Sequence, residues 1–166
     1  GEMMLQKVTV ERHDAELDGV LASLQDMKAQ WRKAAALDPT AKGTINQPTV
    51  FLRHLDGMLA LAEVIARGAR DREECRGAHY KPEFLLEEPK AGSDDETLLR
   101  EARRWCEGYK AQNDRWLKTT IVTQGSDGPQ FTYEAIDTSL ISPRPRTYGM
   151  VGAEIIYDIG LLFIAY

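Results

Sequence analysis

Arg70-Asp-Arg-Glu-Glu-Cys-Arg-Gly-Ala-His79-Tyr-Lys-Pro-Glu-Phe84 decides how this chain is read. A charged, arginine-rich stretch runs into a glycine, a histidine and then an X-Pro step. Gly77 suits the position just past a helix, where a residue without Cβ enters the left-handed region cheaply. Pro82 pushes Lys81 towards extended backbone and keeps the helix from resuming. The stretch therefore predicts a long helix ending near Arg76, then a turn and an extended strap.

Upstream, that helix is expected to start near Asn46 as its cap, with Pro48 tolerated in the first turn. Phe51, Leu52, Leu55, Met58, Leu59, Ala62, Ile65, Ala66 and Ala69 give it an apolar face wide enough to meet more than one neighbour. Gly57 and Gly68 each cost about 1 kcal/mol inside a helix, a loss that packing must offset. An earlier helix is predicted over Ala15 to Leu37, where Leu17, Val20, Leu21, Leu24, Met27 and Trp31 recur at steps of three and four. Asp38 to Thr44, with Pro39, reads as the turn that ends it.

Downstream of the strap, Lys81 to Asp95 reads as a surface loop, and Ser93-Asp-Asp-Glu96 has the form of a capping box. Leu98, Leu99, Ala102, Trp105, Cys106 and Tyr109 form the buried stripe of a third helix, with Asn113-Asp114 as its end and the cap of a short further one. Thr119 to Thr123 and Phe131 to Tyr133, around a glycine-bearing loop, predict a hairpin. Ser142 to Tyr148 is extended and proline-limited. The fold class is mainly α: a bundle of about three helices with a small β-hairpin and an extended C-terminal tail. From Met150 to Tyr166 the chain is strongly apolar, yet Glu154, Asp158 and its shortness argue against a membrane span. A buried strand, an interfacial segment and sequence foreign to the natural domain all remain open for it.

The chain has 166 residues, 43% of them apolar, so one real core in a single domain is the default expectation. With 21 basic and 26 acidic residues the formal charge is −5, and no basic block stands out; no nucleic-acid partner is expected. Gly1 to Val10 lacks a charged start leading into a long apolar run, so no secretory or membrane segment is expected to begin the chain. Cys75 and Cys106 are expected to be free thiols in a reducing cytosolic setting. No second pair with ligand spacing accompanies Cys75 and His79, and no metal site is expected.

Gly-x-Gly-x-x-Gly, the P-loop, the Gly-x-Ser-x-Gly elbow and His-Glu-x-x-His are all missing, which disfavours a self-contained enzyme of a common class. His79 has three readings: a partner for a backbone carbonyl at a turn, an interface residue, or a general base. His13 and His54 are taken as ordinary. Arg67, Arg70, Arg72 and Arg76 are placed on the last turns of one helix, where the dipole favours cations and Arg70 can reach Glu74. Equally, their planar forks suit carboxylates or carbonyls of a neighbouring domain or subunit.

The Arg-Glu-Glu-Cys-Arg-Gly-Ala-His-Tyr string from Arg72 to Tyr80 resembles the Arg-Glu-Ser-Arg-Gly-Ala-His-Tyr signature in the C-terminal helical domain of succinate dehydrogenase and fumarate reductase flavoprotein subunits. Gly1-Glu-Met-Met, Val8-Thr-Val-Glu-Arg12, Met58-Leu-Ala-Leu-Ala62, Arg67-Gly-Ala-Arg-Asp-Arg72, Trp116-Leu-Lys-Thr-Thr120 and Ile136 to Arg146 are similar to further blocks of that family, in the expected order. Cys75 stands where the family usually has Ser. The resemblance implies that residues 1–148 are this domain, with 85–113 an inserted loop and helix, and that 149–166 is an apolar tail of unknown role. It implies FAD in the full-length protein and none held by this chain, with catalytic residues upstream and none here. The implied partners are the upstream flavin-binding domain and an iron–sulfur subunit, with a membrane anchor involved only indirectly. The implied location is peripheral, at the cytoplasmic face of the cell membrane. The implied role is structural, in succinate–fumarate interconversion with electrons passed to the iron–sulfur subunit; the chain alone is expected to be inactive. Arg70, Arg72, Arg76, Gly77, His79 and Tyr80 are the docking candidates. The C-terminal domain of L-aspartate oxidase and a stand-alone helical interaction module are the alternatives.

Overall fold

The structure, a computed structural model, describes residues 1–34, 47–147 and 149–164. The expected Asn46 cap and the turn from Asp38 to Thr44 lie outside the described residues. The chain divides into two compact units, Gly1–Glu83 with Val122–Phe131, and Phe84–Ile121 with Thr132–Tyr166.

In the first unit, α1 (Glu2–Lys7) leads into α2 (Asp14–Ala34) and α3 (Gln47–Asp71). Leu17, Val20 and Leu24 of α2 point at Leu59, Ala66 and Ala69 of α3, and Val8 closes the same core. The three-and-four spacing of these residues is what lines them along one helix face. Met27, placed on the α2 stripe by its spacing, is instead partly exposed. Only part of the wide α3 face is covered within the unit: Phe51, Met58 and Ile65 stay exposed. Glu63 is buried in their stead, because Gln25 Nε2 donates to its Oε1 at 2.8 Å and Lys28 pairs with Oε2. Gly68 faces the Phe131 ring, and a Cβ there would sit 3.5 Å from it. Arg67 lies over that ring at 5.3 Å and donates to the Pro129 carbonyl at 3.0 Å.

A 3-10 turn, Pro82–Phe84, stands at the start of the expected surface loop. In the second unit, α4 (Asp95–Trp116) runs unbroken past Asn113-Asp114, and the Leu117 N–H bonds back to the Asn113 carbonyl. Its cap is Asp94 rather than Ser93: the Asp94 carboxylate accepts from the Thr97 N–H at 2.7 Å. Ala102, Trp105 and Cys106 form the core with Leu86 and Tyr109, and the Trp105 and Tyr109 rings stack at 5.5 Å. Leu99, expected on the buried stripe, is partly exposed.

The apolar end is a helix. α5 (Ala153–Ile164) buries Ile156 completely and sets Ile155 and Ile159 against α4. Gly152 makes the turn before it at φ +73°, with Leu98 close by. No helix among the described residues is long and apolar enough to cross a membrane.

β1 (Lys118–Gly125) and β2 (Gly128–Ala135) pair as an antiparallel hairpin. Both strands are longer than expected, and the loop is only Ser126-Asp127. Pro129 therefore lies in β2 rather than in the loop. A two-stranded sheet has only edges, so its missing N–H costs no ladder bond on the open side.

Candidate functional site

The predicted helix to Arg76 stops at Asp71, and the reason lies in Glu74. On a helix, residues two apart point to different faces, whereas extended backbone puts them on one side. Glu74 is fully buried and has Arg72 and Arg76 two residues to either side. Arg72 Nε and Nη2 reach its Oε1 at 2.6 and 2.5 Å, and Arg76 Nε and Nη2 both reach Oε2 at 2.9 Å. Leaving the helix lets one carboxylate take both forks. Arg72 and Arg76 are therefore beyond α3, and only Arg67 and Arg70 ride on it.

Arg76 and His79 then close a two-residue turn. The Arg76 N–H donates to the His79 carbonyl at 2.8 Å, and the His79 N–H donates to that of Arg76 at 3.0 Å. Gly77 takes φ +60° inside this turn rather than at a helix end, with nothing within 4 Å of where a Cβ would go. Gly77→Ala is thus expected to cost about 1 kcal/mol from backbone strain alone, and Gly77→Asn less; chemical unfolding of the two variants side by side measures this. Tyr80 bridges in parallel to Glu11: the Arg12 N–H donates to the Tyr80 carbonyl at 2.9 Å, and the Tyr80 N–H to that of Val10 at 3.1 Å.

His79 is buried with both ring nitrogens engaged. Nε2 lies 2.9 Å from the Arg72 carbonyl, which can only accept, so Nε2 carries the proton. Nδ1 is then the acceptor for Arg12 Nη1. Burial, opposed by the Arg72 carbonyl but reinforced by the charges of Arg12, Lys81 and Arg72, lowers the His79 pKa and keeps the ring neutral. In this arrangement it offers no lone pair to a substrate; of the three readings, the turn-carbonyl partner describes its geometry.

Beneath the turn, Lys81 is fully buried, its Nζ paired with Asp14 Oδ1 and donating to the Arg70 carbonyl at 3.1 Å. Arg70 does not pair with Glu74 as its spacing suggested: Nε donates to Asp18 Oδ1 at 2.7 Å and Nη1 to Asp14 Oδ2 at 3.2 Å. Cys75 Sγ donates to the Lys81 carbonyl at 3.1 Å and accepts from the Lys81 N–H at 3.3 Å. Burial raises the Cys75 pKa, so its thiol stays protonated and a poor nucleophile. Both cysteines are free. His13, read as ordinary, lies 3.2 Å from Glu11 and 3.1 Å from Glu83, and the hydrogen bond to Glu11, then that to Glu83, raises its pKa.

The six candidates thus come together at one corner, with Gly77 and Tyr80 on the surface beside exposed Ala78. Sequence reasoning missed Arg12, Asp14, Glu74 and Lys81. Only Glu74 left a signal, an acid with an arginine two residues to each side. Among the described residues no group of three His, Cys, Asp or Glu could hold a metal.

A helical domain without a nucleotide-binding turn, displaying a tied-down arginine corner, is the class of structure these features define. The family described as fumarate reductase flavoprotein C-term matches residues 1–148, and the chain belongs to it. It is 35% identical over 150 residues to the succinate dehydrogenase flavoprotein subunit of Bacillus subtilis (strain 168), covering 89% of this chain and 21% of that protein. It is 26% identical over 156 residues to the fumarate reductase flavoprotein subunit of Helicobacter pylori (strain J99), covering 91% of this chain and 18% of that one. The fold is similar to that of FrdA in a mutant E. coli quinol fumarate reductase, with a TM-score of 0.64 at 22% identity over 90% of this chain and 22% of that one. The chain spans about a fifth of the length of these relatives.

A flavoprotein family implies FAD in the full-length protein. The corner from Arg70 to Lys81 does not fit it. The cations that could grip a pyrophosphate, Arg70, Arg72, Arg76 and Lys81, are taken by Asp14, Asp18 and Glu74.

Proposed function

We propose that the chain acts as the C-terminal helical domain of a succinate dehydrogenase or fumarate reductase flavoprotein subunit, with a structural and docking role. The longer protein would interconvert succinate and fumarate and pass electrons to an iron–sulfur subunit, lying peripherally at the inner face of the cell membrane. Residues 1–148 would be the domain proper and 149–166 an addition to it.

The observation that carries this reading is the family match over 1–148, in a chain that is only about a fifth of its relatives. Supporting it, the corner's cations are held by its own acids. Arg70, Arg72, Arg76 and His79 then act as the frame, while Gly77 and Tyr80 present the contact surface to the flavin-binding domain or the iron–sulfur subunit. Purified alone, the chain is expected to carry no flavin absorbance and to support no succinate-dependent dye reduction. Dye reduction by the isolated chain would overturn the reading.

A further inference from the structure

Arg12 is held on three sides: Nε donates to the Val8 carbonyl at 2.8 Å, Nη2 to the Thr9 carbonyl at 2.9 Å, and Nη1 to His79 Nδ1. The first two bonds fix the guanidinium to its own segment, so the third is the side-chain tie between residues 8–12 and the turn after α3. An imidazole can accept there only while Nδ1 is bare. We infer that the Arg12–His79 contact is a proton-operated latch: the neutral ring holds the turn to residues 8–12, and protonating it turns the acceptor into a donor facing a guanidinium and releases the Gly77–Tyr80 tip.

The Arg72 carbonyl at Nε2 favours the protonated ring, but burial and the neighbouring cations outweigh it. Around the ring stand Arg12 from the bridging segment and Arg72 and Lys81 from the turn. The nearby acids are committed, Glu74 to Arg72 and Arg76, and Asp14 to Lys81 and Arg70. His13 behaves oppositely, since Glu11 and Glu83 favour its charged form. Acidification therefore tightens that exposed pair while loosening the buried one. A folded-state pKa below the unfolded value means that the stability tied to His79 is fully present above about pH 6.5 and is lost as pH falls through the folded pKa. For His13 the sign is reversed: its contribution is present below about pH 6.5 and is lost as pH rises through the raised folded value. The latch is a property of the chain's own geometry and stands apart from the docking reading.

Amide hydrogen exchange on the 166-residue chain tests it. Protection of the Arg12 and Tyr80 amides, whose acceptors lie across the latch, is read at about pH 7.5 and about pH 5 against intrinsic rates at each pH. Both are expected to lose protection at the lower pH, by about tenfold for each unit by which the closed pKa, or pH 5 if that is higher, lies below the open value, while amides in the middle of α2 and α3 hold. His79→Gln keeps a donor and an acceptor but cannot titrate, so the loss should vanish. If that variant fails to fold, Arg12→Gln keeps the donor without the charge and should shrink the loss. Unchanged wild-type protection, a loss shared by α2 and α3, or a loss of the same size in whichever variant folds would each overturn the latch.

Discussion

Glu74→Ala is expected to lower the stability of the first unit by about 3 kcal/mol, the low end of what breaking a buried ion pair costs. The carboxylate is fully buried between two guanidinium forks, and removing it takes from both the acceptor they share. The Arg72 and Arg76 side chains are 22% and 32% exposed, so water recovers part of that loss, which sets the lower figure. Glu74→Gln retains the shape and one acceptor oxygen and should lose roughly half as much. Urea unfolding reads both as shifts in midpoint. Coincident midpoints for wild type and Glu74→Ala would mean that the clamp contributes nothing and that some other feature bends the chain out of the helix.

Ile156→Ala should cost about 3 kcal/mol in the second unit, from lost transfer energy plus the cavity left behind. Ile156 is fully buried beside Ala102, Trp105 and Cys106. The cost falls on α4 as well, because Trp105 stacks on Tyr109 along the covered side. Hydrogen exchange in α4 is the measurement. Protection unchanged by the substitution would show that α5 is a loose attachment, outside the cooperative core.

The long helices were legible because their stripes repeat at three and four residues: Leu17, Val20 and Leu24 announce α2, and Ala102, Trp105 and Cys106 announce α4. The tail held the same kind of signal, since Ile155, Ile156 and Ile159 are helically spaced with Glu154 and Asp158 between and around them. It was obscured by the density of apolar residues, which blurs periodicity. The end of α3 was misplaced because local rules saw arginines and a glycine where a helix could stop. The deciding interactions are the Glu74 clamp and the bridge from Tyr80 to Glu11, and the latter joins residues far apart in sequence. The burial of Lys81 was hidden for the same reason, its partner Asp14 lying at the start of α2. The cap moved by one residue because Ser93 and Asp94 are both good caps and only the backbone's approach to Thr97 separates them.

The division of the chain has a practical consequence. The tip of the hairpin, Val122–Phe131, belongs to the first unit, while the residues before and after it belong to the second. The polypeptide thus switches units at Glu83–Phe84 and twice more within the hairpin. No gene truncated at a single point can encode either body both whole and free of the other's residues. Excising one would call for a spliced or circularly rearranged design, and recombination that shuffles segments would have to exchange the pair together.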